Sequence, residues 1–403
     1  MGLQDLLSSV QKDYKKKFGR DHDLEFQLGD EKDPPTGLIV DNPLLEYILD
    51  RRYLAYGRCY LTYGKKGNSK TSLFLNLAKM FQQHGGDVVW IETEQAADLD
   101  YAAKQGLDLS RIAMPEVTSL QEALTVAEDT IKNLPKAYPD GNTPVLICLD
   151  SIAGAIPEYE LQSDVTVGET KVGEHARLMS GFYRRIIHPL AHEKAIFLAL
   201  NQLKVAIGKP VFGGEEAEAM IGGEAPRFHS TYQWKVVRTK DLCKRTAGGA
   251  ERKVGSRHEI TCKRNKLGRE GNSQKIEFDL YIDGGIDWYS PLVRMLAENY
   301  PKLVYKNGAY VRWLIDNVTY SKAELDAEGK PIQDIIPTDK NVREVELATM
   351  IANSPQAKEI IRKEFGIPDL PAQEVIERVE TENKAKRGKK LADTTEEDSI
   401  SAL

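Results

Sequence analysis

No stretch of this 403-residue chain approaches the roughly 18 consecutive apolar residues that a membrane span needs. The opening MGLQDLLSSVQKDYKKKFG has no signal-peptide core either. No membrane partner is expected, and the expected location is cytoplasmic. Cysteine is scarce: Cys59, Cys148, Cys243 and Cys262 are scattered with no CxxC pair, which excludes a disulfide framework and fits reduced thiols. Excess positive charge is also missing. A net charge of −6 argues against a wholesale nucleic-acid coat and leaves room only for a local basic surface. There is no internal repeat, and 31 Gly with 18 Pro exclude a collagen-like or low-complexity chain. What is present is 41% apolar residues over a length suited to two or three domains, enough for a large core.

Residues 1–33 read as a separate arm. Leu3, Leu6, Leu7, Val10, Tyr14 and Phe18 recur at helical spacing, Gly19 ends the helix, and EFQL at 25–28 reads as a short strand. The helix either folds onto its own domain or docks on a neighbouring subunit. DEKDPPTG is a linker, because two prolines fit neither a helix interior nor a central strand. Residues 34–290 form the core. Apolar strands at Cys59–Tyr63, Val88–Glu92, Val145–Asp150 and Ala195–Asn201 alternate with helical stretches at 70–84, 119–134 and 173–190. That alternation predicts an α/β fold, a mostly parallel sheet between helices, with ligands bound outside the carboxyl ends of the strands. Residues 291–380 read as a small C-terminal domain, helical and charged around a YKNGAYVRWL hairpin. The tail, 381–403, joins basic KAKRGKK to acidic Asp393, Glu396, Glu397 and Asp398; it is too polar for a core and is expected to be disordered.

The first core strand runs into GKKGNSKTS, residues 64–72. This nearly matches the phosphate-binding pattern G-x4-G-K-[ST], with Gly64, Lys70 and Thr71 in register. Such a loop needs converging backbone N–H groups, here from Lys65, Lys66, Gly67, Asn68, Ser69 and Ser72. It also needs a lysine for the β/γ oxygens, a hydroxyl for Mg²⁺, and a helix N-terminus behind them. Ser69 stands where the pattern asks for glycine, which puts affinity and turnover in question. VLICLDS ends its apolar run in Asp150, as expected of a strand whose carboxylate holds Mg²⁺ through water. VVWIETEQ carries Glu92 and Glu94, and Glu94 is the expected base for the attacking water. Singly, each acid reads as a turn cap or a solvated charge. Three strand ends in this order point to a Mg-dependent NTPase.

The segment IETEQAADLDYAAKQGLDLSRI resembles the corresponding stretch of bacterial RecA recombinases, and the resemblance extends through most of residues 8–293. VGEHARLMSGFYRRI is similar to the family's first DNA-binding loop and the helix after it. LALNQLKVAIG and FGGEEAEAMIGGEAPRF resemble its switch residue and second DNA-binding loop; CKRNKLGREGN and IDGGIDWYSPLV resemble the end of its core. Phage recombinases, whose P-loops also depart from the strict pattern, are the nearer comparison there. The resemblance implies a RecA-like P-loop ATPase using ATP and Mg²⁺. Lys70 and Thr71 would hold phosphate and metal, Asp150 would support the metal, and Glu94 would activate water. Tyr101 would stack on the adenine, Asp98 would be a further ATP contact, and Gln202 would sense the γ-phosphate. Arg264 and Lys266 would reach the nucleotide of the adjacent subunit, unless they are only an exposed basic strand end. Arg177, Arg184, Lys204, Gly222 and Gly223 are the implied DNA contacts. The bland reading of the two arginines is a solvated helix face. Glu215, Glu216 and Glu218 depart from this picture, since they repel phosphate. The tail would compete with DNA for the basic surface, or merely solubilise. The implied protein is a homo-oligomeric helical filament on single-stranded DNA that pairs it with double-stranded DNA. A RecA-fold ring helicase, or a DNA-binding filament protein with a weakened ATPase, is the alternative.

Overall fold

The computed structural model describes residues 3–18, 36–162, 173–205, 218–246, 248–268, 274–326 and 328–370. The strand read at 25–28, most of the 30–37 linker and the charged tail lie outside the described residues.

The strands read from sequence form the middle of a ten-stranded sheet. Its parallel part runs Tyr232–Arg245, Arg58–Gly64, Ala195–Val205, Val145–Asp150, Asp87–Glu92, Ile112–Ala113 in spatial order. Val145–Asp150 is buried along its whole length, because helices cover both sides of the sheet. Its side chains alternate with period two. Leu146 and Cys148 enter one core cluster, and Ile147 and Leu149 enter the other. The helix Lys70–Gln83 covers the first face with Leu73, Phe74, Leu77, Ala78 and Phe81, spaced three and four apart. Helices Leu120–Ala137 and Glu174–Leu190 cover the second, the former started by a capping box between Ser119 and Glu122.

Register decides what the sheet presents. Gly64 pairs with Gln202, and Glu92 with Asp150, so four sequence-distant residues finish on one edge.

Two features depart from the sequence reading. Strand–helix alternation does not continue to 290. Tyr232–Arg245 pairs antiparallel with Glu251–Asn265, which pairs in turn with Lys275–Tyr281 and then Gly285–Asp287. The region beyond Tyr289 contains the expected hairpin, Val304–Asn307 with Tyr310–Trp313, turned at Gly308 with φ 60°. It also contains a second, unexpected one, Thr319–Leu325 with Pro331–Ile335. That hairpin is largely exposed and shows no clear apolar alternation, which is why periodicity missed it.

The C-terminal region does not build a core of its own. Trp313, Ile336, Leu347, Ile361 and Phe365 join the cluster that holds Leu73, Phe74 and Trp90. Two ionic clamps tie it down. Arg362 donates to Glu46 at 2.6 and 2.7 Å and to Asp41 at 2.8 Å, and Lys358 donates to Asp41 at 2.8 Å. Asp279 accepts from Arg257 at 2.7 Å and from Arg294 at 2.8 Å. The N-terminal helix, Leu3–Phe18, leaves Leu6 57% and Val10 40% exposed.

Candidate nucleotide site and DNA-facing loops

The loop after strand Arg58–Gly64 closes around Lys70. The Lys70 ammonium donates to the carbonyls of Gly64 at 3.3 Å and Lys65 at 3.1 Å, so it lies across the loop's own mouth. Burial lowers its pKa, while Asp150 and Glu94 raise it. Lys65, Lys66 and Gly67 are exposed, with Gly67 at φ 78°. Asn68 is buried and donates to the Val236 carbonyl at 2.8 Å. Ser69 sits at φ 57°, ψ 33°, the left-handed conformation that the strict pattern leaves to glycine.

Behind the loop, the Thr71 hydroxyl donates to Asp150 at 2.9 Å. Burial pushes the Asp150 carboxyl up to about 6; Thr71 and Lys70 lower it, and Glu94 and Glu92 raise it. A hydroxyl and a carboxylate in contact, one residue from the P-loop lysine, are the donor set that fits Mg²⁺ with phosphate and water as its remaining partners. The two acids of VVWIETEQ diverge. Glu92 folds back and accepts from the backbone N–H of Glu94 at 2.7 Å and Ala96 at 3.2 Å. Glu94 turns to the site, accepting from Ser151 Oγ and Gln202 Nε2, both at 2.6 Å. Gly154 permits this, since a Cβ there would lie 2.5 Å from Glu94 Cγ.

Gln202 lies just before the part of strand Ala195–Val205 that pairs antiparallel with Glu218–Met220. Its N–H donates to Asn201 Oδ1 at 2.8 Å, and Asn201 Nδ2 donates to the Ile221 carbonyl at 2.7 Å. Leu203 pairs with Met220, so entry and exit of the second loop lie side by side. Gly222 and Gly223, at φ 89° and 68°, pack on the helix of the first loop. A Cβ on Gly223 would lie 2.7 Å from Ala176 Cβ, so close packing alone accounts for this glycine. Arg177 and Arg184 are exposed on one face of that helix. Arg177 is held by Glu174 at 2.6 Å, and Arg184 donates to the Ser180 carbonyl at 3.2 Å. The side chains of Lys204, Glu215, Glu216 and Glu218 lie outside the described residues.

Four expected contributors lie apart from the lysine. Asp98 is the N-cap of helix Leu99–Lys104, accepting from the Tyr101 N–H at 2.8 Å, and Tyr101 packs partly into the core. Beside them, a cavity of about 140 Å³ is lined by Ser72, Asn76, Lys79, Lys104, Gln105, Asp283 and Gly284. Of these only Ser72 belongs to the residues the sequence points to; the IDGG turn is the sequence signal for Asp283 and Gly284. Arg264 pairs with Gln233, level with Leu61, and Lys266 donates to the Phe228 carbonyl at 2.6 Å. Lys266 lies towards the Cys59 end of the sheet, away from Lys70, and Arg264 lies part-way along it.

The profile of the RecA N-terminal domain matches residues 5–287. The chain belongs to the RecA family. RecA of Kineococcus radiotolerans is 29% identical over 308 residues, covering 76% of this chain and 82% of that protein. RecA of Streptomyces coelicolor is 28% identical over 297 residues, covering 73% and 74%. RecA of Symbiobacterium thermophilum is 27% identical over 276 residues, covering 68% and 72%. The chain is thus a RecA-type recombinase, an ATP- and DNA-binding protein of DNA recombination and repair.

Proposed function

We propose that this RecA-family chain is a Mg-dependent, DNA-stimulated ATPase of the cytoplasm. It assembles as a helical filament on single-stranded DNA and exchanges strands with a homologous duplex. The observation that carries the reading is the Glu94–Gln202 contact at 2.6 Å, because it joins a hydrolytic carboxylate to the strand that feeds the second loop.

The chemistry follows from the side chains. Lys70 leaves the Gly64 and Lys65 carbonyls for the β/γ oxygens, while loop N–H groups and the helix N-terminus cradle the phosphates. Thr71 and Asp150 would hold Mg²⁺, which when bound neutralises phosphate charge and orients the γ-phosphoryl group. Glu94 orients the attacking water and takes its proton. In the contact seen here its carboxylate is occupied by Ser151 and Gln202. A γ-phosphate that draws Gln202 away frees the base and pulls on the second loop, so nucleotide state and DNA grip change together. Arg264 and Lys266, remote from their own chain's lysine, serve the site of the next protomer. The N-terminal helix, with Leu6 and Val10 uncovered, docks on a neighbour. Arg177 and Arg184 contact DNA phosphates, with Lys204 and the loop around Gly222 and Gly223 completing the path.

Among the described residues no helix is long and apolar enough to cross a membrane. Electron microscopy of the full chain with ATP and single-stranded DNA tests the proposal. Long helical filaments are expected; closed rings, or no assembly, would overturn it.

A further inference from the structure

The P-loop carries a substitution that ought to weaken it, and the structure contains a specific answer to that substitution. Ser69 adopts φ 57°, ψ 33°, where an L-residue is strained relative to glycine. Its side chain makes no cap contact with its own helix, Lys70–Gln83. It reaches across the sheet instead, with Ser69 Oγ 3.1 Å from His258 Nε2, a residue 189 positions away in sequence.

His258 is built for this contact. It lies on strand Glu251–Asn265, fully buried, with its ring stacked on Phe278 at 5.0 Å between centroids and 13° between planes. Ser256 Oγ stands 2.9 Å from the same nitrogen. The other ring nitrogen, Nδ1, is buried without a hydrogen-bond partner. A buried orphan acceptor costs less than a buried orphan N–H, so the proton belongs on Nε2, which then donates to the hydroxyls. Burial and the Arg238 guanidinium push the ring's pKa down to about 4, so the imidazole is neutral near pH 7. The residue before Ser69 is anchored to the same hairpin, because Asn68 donates to the Val236 carbonyl.

We propose that His258 is a positioning residue for nucleotide binding: by engaging the Ser69 hydroxyl through Nε2, it holds the P-loop in the left-handed turn that glycine otherwise supplies. The role rests on the reading of residues 64–72 as the ATP site. It explains why serine is tolerated there, and it makes the antiparallel hairpin part of the nucleotide site.

The test is a mutant cycle on the full chain, reading the dissociation constant of a fluorescent ATP analogue with Mg²⁺ and, separately, KM and kcat for ATP. Ser69→Ala keeps the strained backbone and removes the hydroxyl; it should weaken binding by a factor on the order of ten. His258→Phe should do the same through KM, with a smaller effect on kcat. His258→Gln, whose amide N–H replaces Nε2–H, should recover most of the loss, whereas His258→Asn, too short to reach, should not. In a Ser69→Gly background the turn needs no support, so adding His258→Phe should cost no further affinity. Ser69→Ala, which only removes a hydroxyl from a half-buried side chain, keeps the test informative if the buried His258 variants fold poorly. Wild-type affinity in Ser69→Ala, or an equal loss from His258→Phe with and without Ser69→Gly, would overturn the role. Lys70→Ala separates the two levels. If it still binds the analogue, the ATP-site reading and the latch both fall; if it loses binding while Ser69→Ala does not, only the latch falls.

Discussion

At the residue scale, two glutamates two positions apart do different work. Glu92 is spent on backbone N–H groups that shape the turn, whereas Glu94 meets Ser151 and Gln202 at the sheet edge. The sequence points to Glu94 as the base, and the hydrogen bonds of Glu92 give the other acid a separate task in the turn. Glu94→Gln should therefore keep ATP affinity, because the amide fills the same space, and lower kcat by about 10²- to 10⁴-fold through loss of the base. Glu92→Gln keeps an acceptor oxygen for the turn and should lower kcat far less. Binding and phosphate release measured separately decide this; normal hydrolysis in Glu94→Gln would remove it from the mechanism. Asp98, an expected ATP contact, caps the helix Leu99–Lys104 through one carboxylate oxygen.

At the element scale, Asp279 joins the antiparallel hairpin to the helix Tyr289–Asn299 through Arg257 and Arg294. Burial alone would raise its pKa. The two guanidiniums outweigh burial and hold the carboxyl below its ordinary 3.8. A depressed folded-state pKa gives stability that is present above the unfolded-chain value and lost as pH falls through the folded one. Asp279→Asn should cost about 1–3 kcal/mol at pH 7, since it takes a buried carboxylate from two partly buried guanidiniums that keep only Glu277 and Glu344 as partners. Urea midpoints should show that deficit narrowing below pH 3.8; a deficit independent of pH would mean that packing, not charge, is responsible. The helix Glu174–Leu190 carries a second prediction. Arg184 donates only to a backbone carbonyl in the contacts seen here, whereas Arg177 is held by Glu174. Arg184→Ala should weaken DNA binding uniformly across sequences and make the salt slope shallower by about one unit. Arg177→Ala should do less, because its DNA contact competes with Glu174. Wild-type affinity and slope in the double variant would place the DNA path elsewhere.

At the scale of the whole molecule, Lys70, Thr71, Asp150 and Glu94 gather at the carboxyl ends of the strands, whereas Arg264 lies part-way along the sheet and Lys266 nearer its other end, beside an exposed Phe228. A head-to-tail contact between such protomers builds a filament where its rotation does not close and a ring where it does. If the cations act on the neighbouring site, hydrolysis belongs to the interface. A chain carrying Arg264→Ala with Lys266→Ala should bind ATP and hardly hydrolyse it, and so should Glu94→Gln. Mixing the two variants creates interfaces with an intact Glu94 facing intact cations, and ATPase activity should return in the mixture. No recovery at any mixing ratio would mean that Arg264 and Lys266 do not act in trans.

The P-loop register, Asp150 and the strands and helices of the parallel core were legible in the sequence, because each depends on local periodicity or on a turn following a strand. VLICLD reads as a buried strand wherever it lies, and GKKGNSKTS reads as a phosphate loop despite Ser69. What only the tertiary structure decided is what depends on pairing between distant segments. The long hairpin of Tyr232–Arg245 and Glu251–Asn265 carries His258 to Ser69 and sets Arg264 level with Leu61, and its register comes from the partner strand, not from its own composition. The turn after Glu92 separated the two glutamates by hydrogen bonds that no spacing encodes. The C-terminal region shares the central core because Trp313, Ile361 and Phe365 find apolar surface already exposed by the P-loop side of the sheet. Apolar contact is not directional, so the sequence marks which residues must be buried, and only the assembled fold decides against what.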